Sequence, residues 1–216
     1  MVKVYQEEFI ELARACDALK FGQFTLKSGR RSPYFFNAGA FNTGPALATL
    51  GRCYAAAIVD SGMEFDVMMG PAYKGIPLVV STAIAFAEQH GRDVPIVYNR
   101  KEAKDHGEGG MLVGANLEGR VLVVDDVITA GTALREAVSM VEAAGARCCG
   151  VAVGLDRQER GDGARSAIQD AKAELGLKVV SIVDLASLID YMQAKTQGNE
   201  EILAAMVQYR SQYGVL

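Results

Sequence analysis

Five short apolar runs, each leading through a turn into or toward a helical pattern, constrain this chain more than any other feature. They are Phe65–Gly70, Val94–Tyr98, Val121–Val124, Cys148–Leu155 and Val179–Val183. A strand that is apolar at every residue is covered on both faces, and strands alternating with helices predict a parallel sheet with helices on either side. Helices are expected at Gly75–Gln89, Thr132–Ala144, Leu185–Ala194 and Glu200–Tyr213. Ligands of such sheets sit beyond the carboxyl ends of the strands, and the chemistry-bearing residues of this sequence cluster there.

Ahead of the sheet, Phe9, Ile10, Leu12, Ala13 and Cys16 have helical spacing within Tyr5–Leu19. Residues 21–39 read as two short strands joined around Ser28-Gly29-Arg30. Thr43-Gly44-Pro45 opens a helix that ends near Ser61, with Thr43 as cap and Pro45 in the first turn. The 216 residues suit one domain, which the pattern divides into N-terminal helices and strands (1–64), a core sheet (65–190) and a C-terminal helix (191–216).

Composition closes off several functions. Lys and Arg number 22 against 26 Asp and Glu, a net charge of −4, which argues against a nucleic-acid coat protein. Two histidines, His90 and His106, exclude a His-rich metal site. Cys16, Cys53, Cys148 and Cys149 have no CxxC spacing and are expected as buried reduced thiols of a cytoplasmic protein. Glu7, Glu8 and Glu11 in the first apolar segment do not suit a signal peptide. The stretch Ile76–Ala87 contains Pro77, Ser81 and Thr82 and falls short of the roughly 20 residues a bilayer requires. Neither a nucleic-acid nor a membrane partner is expected.

The strongest motif is Val121-Leu122-Val123-Val124-Asp125-Asp126-Val127-Ile128-Thr129-Ala130-Gly131-Thr132-Ala133. A buried strand delivers two adjacent carboxylates, and a Thr-Ala-Gly-Thr turn then opens a helix. Consecutive backbone N–H groups, two hydroxyls and a helix N-terminus favour a phosphate, while the acids suit hydroxyls, a metal or a developing positive charge. Paired acids also end Walker B strands, but no GxxxxGK[ST] is present. A second turn, Gly70-Pro71-Ala72-Tyr73-Lys74-Gly75, offers N–H groups and a cation at a helix start. A third stretch, Arg100 to Gly110, combines Arg100, Lys101, Lys104 and His106 with three glycines; it reads as a solvated loop or as a cationic lid.

The thirteen-residue motif resembles the phosphoribosyl diphosphate (PRPP) signature of the type I phosphoribosyltransferases. The resemblance implies that family's fold, a parallel twisted sheet flanked by helices with a small N-terminal hood. It implies that Asp125 and Asp126 hold the ribose hydroxyls, and that Val127 and Ile128 lead into a 5-phosphate cradle of Thr129, Ala130, Gly131, Thr132 and Ala133. Tyr73 and Lys74 then belong to the diphosphate loop, which in the family often holds an unusual cis peptide. Residues 100–110 are similar to the catalytic loop of the orotate-using branch, where Arg100, Lys101, Lys104 and His106 reach the neighbouring subunit's site in a homodimer. Lys104, His106, Asp125 and Asp126 are thereby the catalytic set.

The base pocket follows from Phe24–Arg30, Ser32–Asn37 and Leu155–Gly161, which resemble the hood and base-binding segments of that branch, in its bacterial single-function form. Lys27 is implied to meet orotate or PRPP, Phe35, Phe36 and Thr129 to contact the pyrimidine, and Arg157 to pair with its carboxylate. A planar anion does favour a bidentate guanidinium with an apolar flank. Taken alone, Phe35 and Phe36 equally suit core positions, and Lys27 and Arg157 surface cations. The implied reaction joins orotate to PRPP, giving orotidine 5′-phosphate and diphosphate, with Mg²⁺ held through PRPP and water and no direct protein ligand assigned. A PRPP-sensing regulator would be basic and lack the lid cations; a purine-base transferase has no use for Arg157.

Overall fold

The computed structural model describes residues 2–26, 28–104, 110–129, 131–161, 163–195 and 200–215, with the backbone alone at 103 and 104. Helix α1 (Val4–Ala15) leads into a two-stranded antiparallel hood, β1 (Leu19–Thr25) and β2 (Arg31–Phe36). A single 3-10 turn, Ala38–Ala40, precedes α2 (Gly44–Asp60). There follow β3 (Val67–Gly70), α3 (Gly75–His90), β4 (Ile96–Lys104), β5 (Gly110–Gly114), β6 (Arg120–Asp125), α4 (Thr132–Ala143) and β7 (Arg147–Asp156). The chain closes with α5 (Ala167–Leu175), β8 (Lys178–Asp184), α6 (Leu185–Ala194) and α7 (Glu200–Tyr213).

The main sheet has six strands in the order β5-β4-β3-β6-β7-β8. All neighbours are parallel except β5, which runs antiparallel to β4 at the edge. The apolar strands are buried on both faces, as their composition requires. Val67 and Met69 of β3, Val121 and Val123 of β6, and Val151 and Val153 of β7 pack with Leu134 and Val138 of α4 and Ile168 of α5. The intervening Met68, Leu122, Val124 and Ala152 pack with α1, α2, α3 and the hood. Successive side chains on a strand point to opposite faces, so each run feeds two cores at once.

Several boundaries differ from the sequence reading, each for a local reason. Helix α1 stops at Ala15 rather than Leu19 because Asp17 turns into the left-handed region (φ 57) and Leu19 already pairs with Phe36. Strand β4 runs to Lys104, past the expected end at Tyr98, because the edge strand β5 pairs with it and satisfies its backbone. The 100–110 stretch therefore begins and ends in a hairpin, and the sheet is mixed rather than wholly parallel. Helix α5 was not anticipated, although Ser166 and Gln169 form a capping box at its start. Helix α2 begins as read, with the Thr43 hydroxyl accepting from the Ala46 N–H.

Helices α2 and α3 cross where α2 carries Gly51. A Cβ there would lie 2.2 Å from the Ser81 main-chain oxygen, so the close approach depends on the missing side chain. Gly51→Ala is expected to destabilise the fold by about 1–3 kcal/mol through overpacking. A lowered urea midpoint with an unchanged circular dichroism spectrum checks it.

Candidate functional site

Strand order locates the site. From β3 the chain moves outward to β4 and β5, then returns to the other side of β3 as β6 and proceeds to β7 and β8. The connections leaving β3 and β6 thus run in opposite directions, which opens a crevice between those strand ends. The two turns singled out in the sequence are the ones that flank this crevice.

On the β6 side, Asp125 ends the strand, and its carboxylate accepts the Asp126 N–H at 2.8 Å. The Asp126 carboxylate accepts the Val127 N–H at 2.9 Å and the Lys74 ammonium at 2.8 Å. The main chain is pinned from behind: Tyr54 donates to the Asp125 carbonyl at 2.7 Å, and the Gly154 N–H donates to the Asp126 carbonyl at 2.9 Å. Beyond lies a cavity of about 240 Å³ lined by Asp125, Val127, Ile128, Thr129 and the first residues of α4. Gly131 enters α4 with φ 73 and no side-chain cap, so the first-turn N–H groups are left to an incoming anion. Burial, and then the neighbouring Asp126 charge, raise the Asp125 carboxyl to about 7.

On the β3 side, the Ala72–Tyr73 peptide is cis. The Ala72 N–H donates to the Asn99 side-chain oxygen at 2.8 Å, and the Asn99 amide donates to the Arg100 carbonyl at 3.2 Å. Buried Asn99 therefore ties the 71–74 turn to the base of the β4–β5 hairpin. The Lys101 ammonium lies 5.2 Å from the centre of the exposed Tyr73 ring, a second link between the same two segments. Lys74 carries the contact across the crevice to Asp126. Gly75 permits the approach, since a Cβ there would meet Pro71 at 2.7 Å and the Val124 main-chain oxygen at 3.0 Å.

The hood contributes a third wall. Ring centres of Phe24 and Phe35 are 5.6 Å apart, and Phe35 is 40% exposed. Phe36, on the opposite face of β2, packs on Phe9 and Phe41. Arg157, one residue beyond β7, reaches back to the hood: it donates to Ser32 Oγ at 3.0 Å, and its guanidinium lies 4.2 Å from the centre of the Tyr34 ring. Glu159 accepts from its Nε at 2.7 Å.

Residues 37–172 match the family described as phosphoribosyl transferase domain. The chain is 62% identical over 214 residues to a protein of Thioalkalivibrio sulfidiphilus named orotate phosphoribosyltransferase, covering 99% of this chain and all of that one. The chain belongs to the orotate phosphoribosyltransferase branch of that family. A crystal structure of the Francisella tularensis orotate phosphoribosyltransferase superposes with a TM-score of 0.87 at 42% identity, covering 96% of this chain and 99% of that one. The Mycobacterium tuberculosis orotate phosphoribosyltransferase, in a crystal structure with PRPP, superposes with a TM-score of 0.61 at 28% identity, over 84% of this chain and 98% of that one.

In this phosphoribosyltransferase chain the crevice gathers Tyr73, Lys74, Lys101, Asp125, Asp126 and the Val127–Thr129 and Gly131–Ala133 positions. Arg100 stands on the same hairpin, its Nη1 donating to the Gly110 carbonyl at 3.2 Å. Phe36 is held in the core, away from Phe35. Arg157 is a partnered, largely buried group rather than a surface cation. Lys27, His106 and Ala130, and the side chain of Lys104, lie outside the described residues. Asn99 and Tyr54 are not among the residues singled out from the sequence, and Ser32 is read there only as part of the hood segment. A polar residue directly after an apolar strand marks Asn99, whereas nothing local marks Tyr54.

The Asp125 shift has a testable sign. A carboxyl held near 7 in the fold against 3.8 in the open chain weakens the fold as pH rises through that window, because the folded state holds the proton longer. Asp125→Asn is therefore expected to melt above the parent chain at pH 8. The difference should vanish below about pH 3, where both states are protonated; melting curves at pH 8 and below about pH 3 check it.

Proposed function

We propose that this chain transfers the phosphoribosyl group of PRPP to orotate, giving orotidine 5′-phosphate and diphosphate on the route to UMP. The observation that carries the reading is the Lys74–Asp126 contact of 2.8 Å, which joins a phosphate-cradling turn with its acid pair to a second turn across the strand-order crevice. PRPP has a phosphate at one end and a diphosphate at the other, and one is assigned to each turn.

In the reaction the bond from the anomeric carbon to the diphosphate oxygen breaks, its electron pair leaving with diphosphate. Orotate N1 then forms the new bond to the anomeric carbon as its N–H bond breaks, the proton passing to water or to the departing diphosphate. The sugar passes through an oxocarbenium-like state, which nearby carboxylates stabilise; Asp125 and Asp126 supply them while holding the ribose hydroxyls. Thr129 to Ala133 hold the 5-phosphate. Tyr73 and Lys74 grip the diphosphate, Arg100, Lys101, Lys104 and His106 offset its charge as it leaves, and the 100–110 lid excludes water when closed. Orotate lies against Phe35 with Lys27 and Thr129 beside it, and Arg157 meets its carboxylate. Phe36 acts from behind, fixing the hood on the core.

A Mg²⁺ ion fits this arrangement through substrate rather than a protein cage. Among the described residues no three His, Cys, Asp or Glu side chains converge as ligands, and Asp126 already faces Lys74. A hard cation held by substrate oxygens and water would offset charge on the diphosphate. Among the described residues no helix is long and apolar enough to cross a membrane. All four cysteines are free thiols, and burial pushes Cys53 up to about 12, which suits a cytoplasmic protein.

The pairing is a homodimer in which the 100–110 hairpin serves the partner's site. The α2 and α3 surface supports it: Val59, Val80 and Ile84 are exposed there beside a groove of about 360 Å³ that includes Leu47 and Pro77, an apolar face that a second copy would cover.

Orotate absorbance should fall on adding PRPP and Mg²⁺, while adenine, hypoxanthine and uracil are left unchanged; consumption of adenine instead would overturn the assignment. Asp126→Asn is expected to lower kcat by about 10²-fold, and an unchanged kcat at saturating PRPP would remove the carboxylate from the transition state. The dimer is tested by co-expressing two inactive variants, Lys104→Ala and Asp126→Asn. Random pairing makes about half the dimers mixed, each with one whole site if the lid crosses the interface, so about a quarter of full activity should return. A lid acting within its own subunit restores nothing.

A further inference from the structure

Beyond the end of β7 the chain does more than expose Arg157. Gln158 adopts φ 50, its N–H donates to the Asp156 carboxylate at 2.8 Å, and its side chain bonds Asp184 and the Ala186 N–H. This turn brings the Glu159 carboxylate beside the Arg157 guanidinium. One oxygen, Oε1, takes both Nε at 2.7 Å and Nη2 at 2.6 Å. Ser32 Oγ takes Nη2 as well, at 3.0 Å. Among the described residues Nε and Nη2 make the hydrogen bonds of the guanidinium to Glu159 and Ser32 and none is formed by Nη1, while the Tyr209 hydroxyl lies beside the pair.

The same segment is clamped from two further directions. The end of α7 pairs with it: the Arg160 N–H donates to the Tyr213 carbonyl, and the Val215 N–H to the Gln158 carbonyl, each at 2.9 Å. Arg30 of the hood donates to the Arg160 and Gly161 carbonyls at 2.6 and 3.0 Å. Behind the guanidinium, Tyr34 is wholly buried and meets Tyr209 of α7 edge-on at 6.3 Å. The Tyr34 hydroxyl points to Glu159 at 3.4 Å. The hood, the post-β7 segment and the C-terminal helix therefore converge on one ion pair.

We propose that Glu159 is a positioning residue for base selection: it locks Nε and Nη2 of Arg157 so that the Nη1 edge is presented to the substrate carboxylate, with Ser32 and the Tyr34–Tyr209 wall fixing the plane of the fork. This rests on the assignment of Arg157 to the orotate carboxylate. An aimed contact from Nη1 to a carboxylate requires a fixed guanidinium plane, and without Glu159 the guanidinium swings toward Ser32 and loses its aim. The effect is confined to the base, because among the described residues no hydrogen bond or ion pair joins this cluster to the phosphate turn or to the 71–74 turn.

The test compares Glu159→Gln, Ser32→Ala, Arg157→Lys and the Glu159→Gln/Arg157→Lys double variant by steady-state kinetics in both substrates. Loss of a charge-assisted hydrogen bond is expected to raise the orotate KM of Glu159→Gln about tenfold or more, with the PRPP KM within about twofold of the parent chain. The double variant should match Arg157→Lys alone, since Glu159 acts only through that residue. Ser32→Ala, a near-isosteric change, should shift the orotate KM in the same direction by a smaller factor, and it carries the test if Glu159→Gln does not fold. An unchanged orotate KM in the variant that folds, an equal shift in the PRPP KM, or losses that multiply in the double variant would each overturn the proposal. Failure of the parent chain to consume orotate would instead overturn the activity on which it rests.

Discussion

The ion pair between Lys74 and Asp126 spans the place between the parallel strands β3 and β6 where the winding of the sheet reverses, and the site depends on it. Two turns separated by about fifty residues become opposite walls of a single crevice because β3 and β6 are neighbours. Their closeness requires strands buried on both faces, so that α3 can begin directly over the end of β6 and the β6 turn can rest against β7. Gly75 and Gly154 are the small residues at these contacts. A Cβ on Gly154 would already lie 3.2 Å from the Tyr54 hydroxyl and 3.4 Å from the Asp126 carbonyl.

Burial also sets the electrostatics. Asp125 sits at the dry end of a β-strand beside another carboxylate, and both circumstances oppose its charge. Asp126, one residue later, has the Lys74 ammonium. Two adjacent acids of the same type thus occupy different environments: Asp126 is paired with the Lys74 ammonium, and the buried Asp125 carboxyl is raised to about 7. The pair does not act as two equal charges.

The hood and the C-terminal helix, remote in sequence, converge on the ion pair of Arg157 and Glu159. Phe35 is the exposed face of a strand whose opposite face, through Phe36, is anchored to Phe9 and Phe41. Arg157 receives Ser32 from the hood and Glu159 from its own segment, while α7 closes the back through Tyr209. Such a cluster trades the desolvation of an arginine for a fixed guanidinium plane, a use of buried charge that favours geometry over stability.

Much of this was legible in the sequence, for reasons that are local. Continuous apolar strands declare a sheet covered on both sides, and the run from Val121 to Ala133 carries strand, acids, turn and helix start in one contiguous piece; no tertiary information is required to see a phosphate turn there. Lys74 and Tyr73 were legible as a turn, and residues 100–110 as a cationic segment, but not that Asn99 joins them, since that bond links β4 to a loop twenty-seven residues earlier. The antiparallel edge strand and α5 were missed because short, mixed segments have no period long enough to register. The opposite fates of Phe35 and Phe36, and the commitment of one edge of Arg157 to Glu159 and Ser32, follow from which face of β2 meets α1 and where β7 delivers the chain. Local residue chemistry determined what each turn can bind; only the order of the strands and the packing of the hood decided which turns share a site, because those contacts join residues that no sequence window contains.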